Sequence, residues 1–349
     1  MILMSKRILA AACAAATALA LSACSPSAST GGKTSKDGTL TVMASFYPLK
    51  YLAEKVGGEH VTVTSLTPDG AEPHDLELSP KMVDSLASAD AVVYLAGFQG
   101  AVDEAVEQHA PKTVIDVSPA AQLVAIDSTS NHPGEDEDTD EAQSGEAQSG
   151  EAADHDHEGH EHEGHDHEHA DHDHHHDMSM DPHFWLDPAR MANAATLVGD
   201  KLAEADPTNA ETYKANAQAL NEELTSLGDN LVAKTSTCQI KTFVTAHTAF
   251  GYLADRTGLT QVGISGLDPE SSPSPARLAE IGKIVKDQGV TTIFTEALID
   301  PKVEQTLATD LGISTAVLDP IESQTDSYKD YAAVMNDNID ALTKANNCQ

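Results

Sequence analysis

The chain has 349 residues, of which 40% are hydrophobic, and a formal net charge of −36 at pH 7. Such an acidic chain is a poor partner for nucleic acid or for an anionic membrane surface, whereas cations are natural partners. Its hydrophobic content suits a globular protein. About 260 residues remain when an N-terminal leader and an acidic internal segment are set aside, which is enough for two domains.

The N-terminus has the pattern of a bacterial export signal. Lys6 and Arg7 precede an apolar run over 8–21, which is shorter than a typical transmembrane helix. The run ends in a Leu-Ser-Ala-Cys motif that resembles a bacterial lipobox, which predicts cleavage before Cys24 and lipid attachment to its thiol. An ordinary signal peptide with an incidental cysteine is the alternative.

These features predict the location of the mature protein. We expect a lipoprotein signal peptide over 1–23 and a flexible polar tether over 24–38. The lipid would anchor the folded part to the outer face of the bacterial cytoplasmic membrane.

Strand and helix patterns alternate through the first half of the chain. Strands are predicted at 39–44, 60–66, 91–95 and 113–117, and helices at 49–56, 80–87 and 101–109. Near-continuous apolar strands that alternate with helices predict a parallel sheet covered on both faces.

The same alternation of predicted strands and helices begins again after residue 240. Strands are predicted at 241–246, 261–264, 291–295 and 314–318, and helices at 248–257, 274–288, 301–311 and 327–344. Two similar α/β halves are the simplest account. We therefore predict an N-terminal lobe over 39–206 and a C-terminal lobe over 235–349.

A long helix is predicted between the halves, over 207–234. Asp206 followed by Pro207 is typical of a helix start. Apolar residues then recur at spacings of three and four from Ala210 to Leu231, which indicates one apolar stripe. We interpret this helix as a linker that packs along both lobes and resists large hinge motion. A core helix of one lobe is the alternative.

Eleven of the seventeen histidines alternate with acidic residues in one internal tract. Residues 135–177 include eighteen Asp or Glu and no Lys or Arg. Because imidazole binds transition metals and so polar a segment cannot form a core, we expect a disordered loop over 131–178 with several weak metal sites. Its expected ligands are His155, His157, His160, His162, His165, His167, His169, His172, His174, His175 and His176.

Four other residues lie where an α/β protein would bind a ligand. His74, His247 and Asp319 each follow a predicted strand, and the carboxyl ends of parallel strands are where open sheets place ligands. His183 lies in a D-P-H-F-W-L-D-P segment with the only tryptophan. Each could be structural when taken singly. Together, three imidazoles and one carboxylate predict a tetrahedral site that suits Zn²⁺.

The segments around these residues resemble a known family. They are GAEPHDLELSP, DPHFWLDP, TAHTAFGYLADRTGL, GLDPESSPSPARL, FTEALIDPK and LDPIE, in that order along the chain. They resemble the zinc- and manganese-specific substrate-binding lipoproteins of ABC importers, and the zinc-uptake type most of all. The resemblance implies two (β/α)₄ lobes with parallel sheets, joined by a long rigid helix. It also implies a metal between the lobes, held by His74, His183, His247 and an acidic residue that matches Asp319.

The resemblance also bears on the choice of metal. Manganese-type members carry a glutamate where this chain has His247, and a third imidazole favours zinc over manganese. The His-rich insertion is a zinc-type feature as well. Glu296 is predicted to orient a ligating ring, and Glu72 is an alternative oxygen ligand if Asp319 lies too far away.

Two cysteines remain once Cys13, in the leader, and Cys24 are set aside. Cys238 and Cys348 would lie in an oxidising compartment, so we expect a disulfide between them. Two unpaired thiols are the alternative.

The leading interpretation is a non-enzymatic, monomeric zinc receptor that delivers Zn²⁺ to the permease subunit of an ABC importer. The alternative is a zinc-sequestering or adhesive surface lipoprotein without a transport role. A zinc hydrolase is less favoured, because four protein ligands leave no position for water and the chain has no H-E-x-x-H motif.

Overall fold

The computed structural model describes residues 38–109, 111–126, 131 and 179–349. The predictions on the signal peptide, the tether and Cys24 lie outside these residues, as do those on the histidines from His155 to His176. Within the described ranges, no helix is long and apolar enough to cross a membrane.

The first half of the chain forms a four-stranded parallel sheet in the order β2-β1-β3-β4. Its strands are β1 (Leu40–Ala44), β2 (Val61–Ser65), β3 (Ala91–Tyr94) and β4 (Thr113–Asp116). Its helices are α1 (Tyr47–Gly57), α2 (Pro80–Ser88), α3 (Gly100–His109) and the short α4 (Ser118–Ala121). The central strand β3 is covered on both faces, which explains its continuous apolar run.

The second half repeats this topology in the order β6-β5-β7-β8. Its strands are β5 (Thr242–Thr245), β6 (Thr260–Gly263), β7 (Thr292–Thr295) and β8 (Ser314–Val317). Its helices are α7 (Gly251–Thr257), α8 (Pro275–Gln288), α9 (Lys302–Leu311) and α10 (Tyr331–Ala345). The eight predicted strands and the two-lobed α/β architecture are therefore confirmed.

The strand order of each sheet creates a binding crevice. The chain passes from β1 out to β2 and then back across β1 to β3, and the second sheet follows the same path. Loops on either side of this reversal point leave the carboxyl edge in opposite directions and open a crevice between them. The loops that follow β2, β5 and β8 carry the predicted ligands.

Two helices, rather than one, join the sheets. They are α5 (Pro188–Ala205) and α6 (Ala210–Thr235). The predicted helix start at Asp206 is wrong by a few residues, because Asp206 is the C-cap of α5 and α6 begins at Ala210. Its carboxylate accepts hydrogen bonds from Asn209 Nδ2 at 2.7 Å and from the Tyr213 hydroxyl at 3.0 Å, which fixes the turn between the two helices.

Helix α6 packs against both halves of the chain. Its apolar stripe is buried at Tyr213, Ala217, Leu220, Leu224, Leu227 and Leu231, as its spacing predicts. The helix contacts α1 and α5, which precede it in the chain, and α7 and α10, which follow it. One hydrophobic cluster accordingly includes residues from both sheets. The lobe boundaries at 206 and 235 remain a prediction.

The expected disulfide partners lie together. Cys238 follows α6, Cys348 follows α10, and their Sγ atoms are in bonding contact. A bond between them would close a loop of 110 residues and fix the C-terminus beside the start of β5.

We expect the pair Cys238→Ser and Cys348→Ser to lower the free energy of unfolding by about 4 kcal/mol, because a loop of this length constrains the unfolded chain strongly. Urea unfolding of metal-free protein measures the change. Reductant added to the unaltered protein is the matched control and should produce the same loss. No loss on reduction would show that the thiols are free.

Candidate metal centre

Three imidazoles and one carboxylate converge in the crevice. The Nε2 atoms of His74, His183 and His247 each lie 3.4 Å from Glu322 Oε1. The four candidate ligand atoms all lie within 4.8 Å of one another. Ligand atoms of a tetrahedral site with bonds of about 2.0–2.1 Å are about 3.3–3.4 Å apart. Glu322 is therefore already at the distance from each imidazole that one shared ion requires.

Four separate segments supply these groups. His74 follows β2, His183 directly precedes a single 3-10 turn at Phe184–Leu186, and His247 follows β5. Glu322 follows β8. The side chains of His183 and His247 are 0% exposed, Glu322 is 2% exposed and His74 is 6% exposed. The four side chains are almost inaccessible to solvent, and the most accessible of them is His74.

The structure brings Glu322, and not the predicted Asp319, together with the three imidazoles. The Asp319 carboxylate stays within its own turn, where it accepts hydrogen bonds from Ile321 N at 2.7 Å and from Thr325 Oγ1 at 3.4 Å. Ile321 has a φ of 58°, a left-handed conformation that is rare for a β-branched residue. The turn thus directs Glu322, three residues later in the same loop, towards the imidazoles.

Two further carboxylates fix the orientation of two rings. His183 Nδ1 lies 2.8 Å from Asp181 Oδ1, and His247 Nδ1 lies 2.7 Å from Glu296 Oε1. The backbone N–H groups of both histidines donate to the same oxygens. Each ring consequently directs Nε2 at the centre, an arrangement that is common behind metal-ligating histidines.

Glu296 occupies the orienting position that its sequence context predicts, whereas Asp181 was missed. The only signal for Asp181 was its place two residues before His183 in D-P-H. Glu72 lies outside the group of four. Its carboxylate accepts a hydrogen bond from the backbone of His74 at 2.9 Å, and its nearest approach to His74 Nε2 is 3.9 Å. Glu72 therefore fixes the loop that carries His74.

Burial and charge act in opposite directions on the imidazoles. Burial lowers the pKa of His183, but the carboxylates of Asp181 and Glu322 outweigh burial, and the net effect raises this pKa above its usual value. Burial likewise opposes ionisation of His247, yet Glu296 and Glu322 raise its pKa well above the usual value. The metal-free centre therefore favours protonated rings.

Glu322 has the complementary behaviour. Burial alone would raise its pKa, but the three surrounding imidazoles hold the pKa of this carboxyl well below its usual range. Among the described residues, the buried Nε2 atoms of His183 and His247 have no hydrogen-bond partner. Three imidazoles that can release their Nε2 protons, together with one buried carboxylate, form the donor set that a borderline-soft divalent cation requires.

A comparison with known families identifies the chain. The family described as zinc-uptake complex component A, periplasmic, matches residues 42–345. The chain belongs to this family. The match begins within β1, ends with α10 and includes all four groups of the centre.

Two curated relatives illustrate the similarity. The zinc-binding protein AdcA of Streptococcus pyogenes serotype M3 is 33% identical over 311 residues, which are 88% of this chain and 56% of AdcA. The high-affinity zinc uptake system protein ZnuA of Bacillus subtilis strain 168 is 31% identical over 333 residues, which are 94% of each protein. The chain thus spans about half the length of AdcA.

Solved structures share the fold. The laminin-binding protein Lmb of Streptococcus agalactiae, described as bifunctional with adhesin and metal transporting activity, matches with a TM-score of 0.69 and 27% identity. That match covers 88% of this chain and 99% of Lmb. Zn(II)-bound AdcA of Streptococcus pneumoniae matches with a TM-score of 0.67 and 29% identity, over 89% of this chain and 59% of that chain.

Proposed function

We propose that the chain is the extracytoplasmic zinc receptor of an ABC importer. It captures Zn²⁺ at His74, His183, His247 and Glu322 and delivers the ion to a membrane permease. The observation that carries the proposal is the convergence of these four groups on one point. Three imidazoles favour zinc over manganese, which prefers oxygen ligands. Family membership and the zinc-binding relatives support the same choice.

Zinc is proposed as cargo rather than as a catalytic cofactor. A catalytic zinc keeps one coordination position open for water or substrate. Here four protein groups from four segments lie within reach of one ion and would fill a tetrahedral shell around it. The set therefore favours tight capture of the ion over activation of water.

The export features belong to the same proposal. Cleavage before Cys24 and lipid attachment to it would hold a monomeric receptor near its permease, on the outer face of the membrane. A relative from Streptococcus pneumoniae is named a zinc-binding lipoprotein, which supports the anchor. Mass spectrometry of the membrane-extracted protein tests it, and an unlipidated N-terminus would contradict it.

Growth under zinc starvation tests the proposed function. A strain that lacks the gene should grow poorly in chelator-treated medium and take up little radioactive zinc. The unaltered gene should restore both, whereas a gene with His247→Ala should restore neither, although its product is exported. Normal uptake in the deletion strain would instead favour the sequestering or adhesive alternative.

The carboxylates behind the rings should matter almost as much as the ligands. We expect Asp181→Asn to weaken zinc binding by about 10- to 100-fold, because the His183 ring loses the partner that fixes its orientation. Competition with a chromophoric chelator measures the affinity. Asp229→Asn is a matched control, since the side chain of Asp229 is 75% exposed. Equal affinities of the two variants would contradict the orienting role.

The His-rich tract is proposed to collect or buffer zinc at weaker sites. Deletion of residues 135–177 should therefore remove the weak zinc equivalents and keep the tight one, because the four candidate ligands of the centre all lie outside the tract. Calorimetric titration separates the two classes. A control chain in which the eleven histidines are serine keeps the negative charge and should behave like the deletion. Loss of the tight equivalent would contradict this division.

A further inference from the structure

The only tryptophan joins the two halves of the metal centre. Trp185 is fully buried, two residues after His183. Its indole Nε1 donates a hydrogen bond to the carbonyl oxygen of Pro320 at 2.7 Å. Its own carbonyl oxygen accepts a hydrogen bond from the Tyr331 hydroxyl at 2.5 Å. The segment that carries His183 is thereby tied to the turn that carries Glu322.

The indole ring has little freedom to move. Its centroid lies 4.8 Å from that of Phe46, 5.7 Å from that of Phe98 and 5.2 Å from that of His183. Phe98 in turn lies edge-to-face with His74, at 4.9 Å. Because aromatic neighbours fix the ring, the direction of its N–H donor is fixed as well.

The turn that receives this donor needs an external constraint. Both ends of the peptide group between Pro320 and Ile321 are bound: the oxygen accepts from Trp185, and the Ile321 N–H donates to Asp319. This peptide leads into Ile321 with its φ of 58°, and a β-branched residue stays in that region only when its surroundings hold it there.

The other side of Glu322 is held too. The Ser323 hydroxyl oxygen accepts a hydrogen bond from Gly70 N at 2.7 Å, which ties the turn to the loop that carries His74. Of these hydrogen bonds, the one from the indole N–H comes from the segment that carries His183. It also binds the strained peptide group directly. Its loss would leave one end of that peptide free to rotate.

We infer that Trp185 is a positioning residue, whose indole N–H holds the Asp319–Ser323 turn so that Glu322 reaches the ion. This inference rests on the proposed binding of zinc. Without the donor, Glu322 samples positions away from the centre, so bound zinc leaves faster. The association rate stays unchanged, because the three imidazoles keep their places.

A single tryptophan makes an isosteric test possible. Growth of a tryptophan auxotroph with benzothienylalanine replaces the indole N–H by sulfur at position 185 alone and keeps the bicyclic ring. Protein labelled with 5-fluorotryptophan, which retains the N–H, is the matched control. Stopped-flow transfer of zinc to a chelator measures the dissociation rate. We expect a rise of about 2- to 10-fold with benzothienylalanine, the range for one neutral hydrogen bond, and no change with 5-fluorotryptophan.

The same substitution in Glu322→Gln protein separates positioning from packing. If Trp185 acts through Glu322, benzothienylalanine has no further effect in that background, because the group it positions is already altered. An equal rise in both backgrounds, or no rise in either, overturns the inference. Should the labelled chain fold poorly, Trp185→Phe is measured in both backgrounds instead; it also removes ring volume, so only a rise that is absent in the Glu322→Gln background supports the inference. A natural-tryptophan protein that binds no zinc would refute the proposed function as well as this inference.

Discussion

Glu322→Gln should lower the affinity for zinc by at least about 100-fold, more than the loss expected on removal of an outer carboxylate. The change keeps the side-chain volume but replaces an anionic oxygen, buried among three imidazoles, by a neutral amide. Chelator competition measures the affinity, and circular dichroism checks that the variant is folded.

Asp319→Asn is the matched control for this variant. Asp319 precedes Glu322 by three residues, and its amide replacement retains an oxygen that can accept from Ile321 N. We expect its affinity to stay within about 10-fold of the unaltered protein, since the hydrogen bonds within its turn are weakened and no ligand is lost. A larger loss with Asp319→Asn than with Glu322→Gln would show that Asp319 is the ligand.

Acidification should weaken zinc binding steeply. The pKa values of His183 and His247 are raised in the metal-free protein, so both rings hold protons at pH values above the usual 6.5. Zinc binds only the neutral imidazole, so it must displace the proton of each protonated ring. For each such ring, the affinity falls by about 10-fold for every pH unit below the pKa of that ring. The affinity is therefore highest above the raised pKa values and falls as the pH decreases through them.

Calorimetry in buffers of different ionisation enthalpy measures the number of protons released. We expect at least one proton per zinc near neutral pH. Glu296→Gln provides the control: it removes the main charge that raises the pKa of His247, so its affinity should depend less on pH in this range. Binding that is independent of pH between about 6 and 8 would contradict the charge state described for the centre.

The strands and the three histidines could be predicted because both depend on local patterns. Buried parallel strands such as β3 require continuous apolar runs, and turn residues delimit them. His74 and His247 follow β2 and β5, and the carboxyl edge of a parallel sheet is where topology gathers ligands. His183 could be predicted because it lies in a compact D-P-H-F-W-L-D-P segment, in which two Asp-Pro turns and the tryptophan would fix the backbone.

The carboxylate beside the three imidazoles could not be predicted from position alone. Asp319 and Glu322 lie in the same loop, and the choice between them depends on a turn in which Ile321 adopts a left-handed φ and Asp319 bonds to its own backbone. The spacing of hydrophobic residues, from which helices and strands are predicted, carries no information about such a turn. The role of Asp181 likewise depends on how the His183 ring is rotated, and the start of α6 depends on the side chain of Asp206.

The central claim is that four side chains share one zinc ion. Crystals of the chain loaded with one equivalent of zinc, measured at the zinc absorption edge, test it most directly. We expect one anomalous peak, from an ion that is bound by the Nε2 atoms of His74, His183 and His247 and by Glu322. An ion that is bound by Asp319 or by water in place of Glu322 would contradict this ligand set. Zinc found only outside the crevice would contradict it as well.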